Sequence, residues 1–427
     1  MYVEVKMDKK QYNNYLAILR EELMPAMGCT EPIAIALAAA KAREVLGHMP
    51  EQMKATCSGN IVKNVKGVVV PNSGGQRGIR AAAVLGAVAG DASKGLEVIA
   101  DAKEDDIARV KELCSQGFCD QALQEDEENL FIRIDVSAGD DTAAVEIRQN
   151  HDNISYIEKN GTVLLKKKPA EVSRIGDKSR LNMDDIIDFA DEVDIDDIDD
   201  IISRQIEYNT HISDTGLARP WGAGVGYTLM KEASKSTRMR ARAAAAAGSD
   251  ARMNGCSLPV IINSGSGNQG ITCTMPIIVY AKELGIDSDR VKRALVLTDL
   301  VTLHQKYYIG NLSAYCGAVS AGAAAGCGIA YLAGADRQVI KNTLINALDT
   351  TGGIVCDGAK ASCASKVSSA VDAGITGYIM AKNGHVFPAG EGLVEKDCEQ
   401  TIQNFGRVGR DGMKSTDIEI LHIMLEK

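Results

Sequence analysis

Three cysteines stand where few side chains could crowd a ligand: Cys316 in "SAYCGA", and Cys356 and Cys363 in "VCDGAKASC". Thiolates bind soft metals and iron–sulfur clusters, and three of them leave one iron of a cubane open. Their spacing matches neither a zinc ribbon nor a ferredoxin run, so spacing alone names no metal. A small, buried, packing cysteine is the plain alternative. Cys29, in "MGCTEP", precedes what reads as a helix start at Thr30-Glu31-Pro32. The positive end of a helix dipole there would favour thiolate, whereas a buried turn cysteine would be inert.

Polar glycine turns supply the other candidate chemistry. They are "CSGNIVKN" (57–64), "PNSGGQRG" (71–78) and "NSGSGNQG" (263–270). Glycine allows close backbone approach, serine and asparagine add hydroxyls and amides, and a turn that opens a helix can receive an anion. The third follows the apolar "SLPVIIN" and precedes "ITCTMPIIVYAKEL", so a strand or buried segment feeds a helix. None is a Walker loop or Rossmann turn, and a tight connection is the bland reading. No nucleophile elbow with a triad is found. His304 is isolated. Lys63, Lys306, Lys360 and Lys366 lack a pyridoxal context.

The elements that must position these groups read as α+β. A helical stretch covers 11–47, and strands and glycine turns follow from 51. The segments "NLFIRIDVSAG", "DTAAVEIRQNHD" and "ISYIEKNGTVLLKKK" alternate apolar and polar residues, with Asn160-Gly161 as a hairpin turn. The acidic run 181–207 reads as a solvated helix, and it lacks the glycine and glutamate of a calcium loop. An Ala/Gly-rich helical region runs from 207 to 382. We therefore expect a large helical domain of residues 1–50 and 176–427, with a smaller α/β domain inserted at 51–175.

The chain has 427 residues, 45% hydrophobic but only 4% aromatic, so its core is built from aliphatic and small side chains. A net charge of −10 argues against nucleic-acid binding. The absence of a long apolar run argues against a membrane span. The 11 cysteines of a chain whose start reads as signal-less suggest reduced thiols and a cytoplasmic location. Oligomeric state, homo-oligomer or monomer, stays open.

Taken together, "MGCTEPIAIALAAA", "SGNIVKNVKGVVVPNSG", "SDARMNGCSLPVIINSGSGNQGITCTMP", "GNLSAYCGAVSAGAAAGCG" and "GGIVCDGAKASCASKV" resemble one family over nearly the whole chain. This is the iron–sulfur L-cysteine desulfidase family, which includes the UPF0597 proteins and is related to the α chain of bacterial iron–sulfur L-serine dehydratases. The resemblance implies a [4Fe–4S] cluster held by Cys316, Cys356 and Cys363. The dehydratases have a longer gap between the last two cysteines. It also implies a role for Cys29 as base or proton shuttle, or as a displaceable fourth contact. The implied reaction is non-redox elimination from a small amino acid, L-cysteine first and L-serine as the alternative; a binding protein without turnover is a further alternative. Substrate contacts are then expected from Ser58, Asn60, Lys63 and Asn64, with Lys63 on the carboxylate. The other turns would contribute Asn72, Ser73, Asn263, Ser264, Ser266, Asn268 and Gln269.

Overall fold

In a computed structural model, residues 7–125, 127–167, 175–310 and 312–426 are described. The strand signals produce β1 (Pro25–Met27), β2 (Gln52–Ser58), β3 (Cys119–Gln124) and β4 (Phe131–Ala138), then β5 (Asp141–Arg148), β6 (Ile154–Lys159), β7 (Thr162–Lys166) and β8 (Pro259–Ile261). Strands β2 to β7 form one sheet in the order β3-β2-β4-β5-β6-β7. The β2–β3 pair is parallel and the other pairs are antiparallel. Alternation sets the face: Met53, Ala55 and Cys57 of β2 are buried, while Gln52 and Lys54 are exposed. Between β6 and β7, Asn160 and Gly161 both adopt positive φ, as a two-residue hairpin turn requires.

The Thr30–Leu46 helix packs across β4 and β5 and against the Gly78–Ala89 helix. Its alanines permit the contact: a Cβ on Gly86 would lie 2.2 Å from the carbonyl oxygen of Ala36. This helix precedes residue 51 yet covers the sheet, so the sheet unit draws on chain from before the expected insertion. The segment 168–174, next to the expected boundary at 175/176, lies outside the described residues. The tiny β1–β8 pair, with Pro25 opposite Ile261, ties the start of the chain to the 263–270 turn.

The acidic run forms two helices, Met183–Glu192 and Ile195–Ala218, separated at Val193-Asp194, where Asp194 caps the second. Ile186, Ile187, Phe189, Ile198, Ile201 and Ile202 face inward and the acids face water. Deeper in the body, the Gly317–Leu332 and Cys363–Lys382 helices meet almost backbone to backbone. Gly322 faces Ala370 and Gly326 faces Gly374, so residue numbers rise together along the seam and the helices run parallel. A Cβ on Gly374 would lie 2.1 Å from Gly322 O. Parallel packing sets the two N-termini side by side, and each carries a cysteine.

Candidate functional site

Four helices begin at one cavity of about 100 Å³, which is lined by Cys29, Ser266, Cys316 and Cys363 among others. Cys29 is the N-cap of Thr30–Leu46, Ser266 of Gly267–Leu284 and Cys316 of Gly317–Leu332, while Cys363 is the first residue of Cys363–Lys382. No cap side chain at these four starts takes up a first-turn N–H. Unsatisfied donors and four positive dipole ends therefore surround the cavity, which favours anionic occupants.

A short backbone pairing brings the second cysteine in. Tyr315 and Val355 form an antiparallel bridge. Cys316 N donates to Ile354 O at 2.9 Å, and Cys356 N donates to Ala314 O at 2.6 Å. Gly358, at φ +94°, lets the loop turn back; a Cβ there would meet Lys63 O at 2.4 Å. Cys363 Sγ reaches Gly358 O at 3.8 Å. The neighbouring Cys316 thiol holds Cys356 below the usual thiol range against the opposing effect of burial, helped by Lys63 and Lys366. Cys316 is correspondingly pushed up, first by the Cys356 side chain and then by burial. Among the described residues, no three His, Cys, Asp or Glu side chains close on a single metal ion. The three sulfurs instead line a shared hollow, and an all-thiol donor set at positive helix ends fits an anionic iron–sulfur group better than a lone cation.

Cys29 does not fit the thiolate expectation. It is 3% exposed, packs with Val68 and Met253, and has Ala359 and Cys363 against that small cluster. Its Sγ donates to Glu31 Oε2 at 2.8 Å. Burial and then the Glu31 charge push this thiol well above its usual range, and Arg252 opposes them only in part. Desolvation outweighs the helix dipole here. Glu31 is the ionised partner. Burial opposes its charge, but the His151 ring and the Cys29 thiol hold it below the ordinary carboxylate range. His151 Nε2 stands 3.9 Å from Glu31 Oε1, and Asn64 Nδ2 donates to the same oxygen at 2.8 Å.

Of the polar residues in the glycine turns, Asn64, Ser266, Asn268 and Gln269 line the cavity. The others are held elsewhere. Residues 59–65 form a short helix rather than a turn. On it, Lys63 is 1% exposed and ion-paired with Asp417, so its charge is already matched and it is not among the cavity-lining residues. Ser58 bonds to Asn129 O at 2.9 Å, and with Asn60 it lines a separate cleft of about 570 Å³ beside the Lys414–Leu425 helix. Asn72 donates to Ile99 O at 3.0 Å, which ties the turn to a neighbouring segment, and Ser73 donates to Val70 O at 2.7 Å, which closes the turn itself. Asn263 donates to Asp299 Oδ1 at 2.9 Å, beneath the cavity, and Ser264 is buried off its wall.

Sequence reasoning passed over Arg252, Glu31 and His151. Arg252 lines the cavity at 2% exposure. It lies at the end of the Thr237–Met253 helix, whose buried run of alanines was the available signal. Lys306, considered only for pyridoxal, also lines the cavity, and burial lowers its ammonium to about 8.

An α+β protein gathers cysteines and helix N-termini around one small hollow, an arrangement suited to an enzyme site. The chain belongs to the serine dehydratase alpha chain family, which matches residues 93–422. It is 50% identical over 418 residues to a UPF0597 protein of Finegoldia magna, covering 97% of this chain and 100% of the relative. It is 47% identical over 415 residues to a UPF0597 protein of Lachnoclostridium phytofermentans, with 97% and 100% covered. A UPF0597 protein of Treponema denticola is 43% identical over 430 residues, with 99% and 100% covered. The family places the protein among lyase-type, serine dehydratase-like enzymes, which generally depend on an iron–sulfur group. Among the described residues, no helix is long and apolar enough to cross a membrane.

Proposed function

We propose that this protein is an L-cysteine desulfidase, converting L-cysteine to pyruvate, ammonia and sulfide by α,β-elimination. One observation carries the reading: three cysteines from two separate segments line the same cavity as four helix N-termini and residues with partnerless amide oxygens. In this reading Cys316, Cys356 and Cys363 hold a [4Fe–4S] cluster. When bound, the cluster supplies a Lewis-acidic iron for the β-leaving group.

The chain's own residues do the rest. The α C–H bond breaks, its electron pair becomes the Cα–Cβ double bond, and the β-substituent leaves with its bonding pair. The Cys29–Glu31 pair is placed to receive the α-proton, because it presents an ionised carboxylate at Oε2 with a thiol bonded to it. Asn64 and His151 keep that carboxylate in place. The aminoacrylate hydrolyses after release.

The family description favours one second reading, L-serine dehydration, since serine differs from cysteine only in the leaving atom. A soft thiolate leaving group suits iron better. Anaerobic cluster reconstitution followed by pyruvate and sulfide assays tests both. Pyruvate with matching sulfide from L-cysteine is expected. Pyruvate from L-serine alone would replace this reading with the dehydratase, and pyruvate from neither substrate would remove both.

A further inference from the structure

The site contains a cation that no acidic side chain neutralises through a hydrogen bond or ion pair among the described residues. Arg252 is 2% exposed, and its Nε is buried without a hydrogen-bond partner. A buried guanidinium donor without a partner has lost its hydration with nothing in return, so such a group is normally matched by an acceptor or a ligand. The backbone has been cleared for it. A Cβ on Gly267 would lie 2.3 Å from Arg252 Nε and 2.8 Å from Cζ, so the guanidinium rests on the first residue of the Gly267–Leu284 helix. A cation and a helix N-terminus thus share one wall, and both attract the same kind of group.

Beside them are the opposite chemistry's partners. Gln269 Oε1, Asn268 Oδ1 and Asn64 Oδ1 are buried acceptors without donors, on residues that line the same cavity. Gln269 is 3% and Asn64 7% exposed, so solvent does not satisfy them. A ligand that fills both sets must carry an anion matched to a planar fork of N–H donors and a cation rich in N–H. A zwitterionic α-amino acid does so. The cavity is far below the 300–1,000 Å³ usual for drug-sized ligands, which restricts its side chain to a few atoms.

We propose that Arg252 is the carboxylate-binding residue of this site and determines its specificity for free α-amino acids, with Gln269, Asn268 and Asn64 receiving the ammonium. This rests on the amino-acid lyase reading for its substrate class, and it moves the carboxylate from Lys63, whose charge Asp417 already takes. Amino-acid amides are excluded because an uncharged carboxyl derivative leaves the guanidinium buried and unmatched, and peptides because no one α-carbon carries both the free ammonium and the free carboxylate.

The test is calorimetric titration of the purified protein with L-alanine, which has no leaving group, and with L-alaninamide, which lacks the carboxylate. Wild type should bind L-alanine at least about 10-fold more tightly than L-alaninamide, since bonds to charged groups contribute about 10- to 100-fold. In Arg252→Gln that preference should vanish, with L-alanine weakened to the level of the amide. Arg252→Lys keeps the charge without the fork, so it should retain a reduced preference, and it supports the proposal even if Arg252→Gln does not fold. Unchanged L-alanine affinity in either folded variant overturns it, as does equal binding of the two ligands by wild type. Binding of L-alanine with loss in Arg252→Gln, but no pyruvate from either amino acid, would overturn the lyase reading and leave Arg252 in place.

Discussion

The parallel helix seam makes a quantitative demand. Replacing Gly374 with Ala puts a methyl carbon 2.1 Å from Gly322 O and 3.1 Å from Gly326 N. A carbon cannot approach an oxygen closer than about 3 Å without repulsion, so the helices must part by about 1 Å. Both neighbours are backbone atoms and neither can rotate away. Overpacking then costs about 3 kcal/mol, the upper part of its usual range, and alanine's helix preference returns about 1 kcal/mol. The net loss of about 2 kcal/mol should lower the melting temperature by about 2 °C, because the unfolding entropy scales with chain length. Cys316 and Cys363 begin these two helices, so their sulfurs should separate as well. Two assays read this: cross-linking of the two thiols by a short bis-electrophile, and iron content after anaerobic reconstitution. Both should fall in Gly374→Ala. Gly412→Ala is the control, because a Cβ there meets nothing within 4 Å. If Gly374→Ala melts, cross-links and loads iron like wild type, the seam does not set the cysteine spacing and the reasoning fails.

Two further perturbations bear on the charges. Glu31→Gln removes the carboxylate that helps push the Cys29 thiol up, leaving burial as the main cause. The Cys29 pKa should fall while staying above its usual range, followed as the pH dependence of Cys29 alkylation by peptide mass spectrometry. No fall would show that Glu31 does not control this thiol. Asp299 is fully buried beneath the 263–270 turn, and burial raises it from 3.8 to about 7 despite bonds from Asn263 and Gln205. Its folded pKa exceeds the unfolded one, so its favourable contribution is complete below about 3.8 and is lost as pH rises through about 7. Asp299→Asn keeps the acceptor oxygen and removes the titration. Its stability relative to wild type, from urea unfolding, should therefore climb between those pH values, by at most about 4 kcal/mol from about three units at 1.36 kcal/mol each. A difference independent of pH would refute the assignment.

What could be read from the sequence was local. Asn160-Gly161 names its own turn because both residues tolerate positive φ, and "NSGSGNQG" announces a helix start because strand, turn and helix are contiguous. Small residues at 317–332 and 363–382 predict close helices, yet composition carries no direction. Only the two pairings together, Gly322 with Ala370 and Gly326 with Gly374, show that they run parallel and bring their cysteines together. Charge matching is equally invisible along the chain. Lys63 and Arg252 look alike as isolated cations, and nothing near Lys63 in the sequence points to Asp417, 354 positions away. For Arg252 the informative fact is that no acid among the described residues is bonded to it, which a sequence cannot display. Cys29 failed for a related reason: its helix start is a local property, but the burial that outweighs the dipole comes from Val68, Met253, Ala359 and Cys363. The residues most exposed to such error are those whose chemistry depends on which charges remain unmatched after folding. In this protein Arg252, proposed to set substrate choice, is one of them.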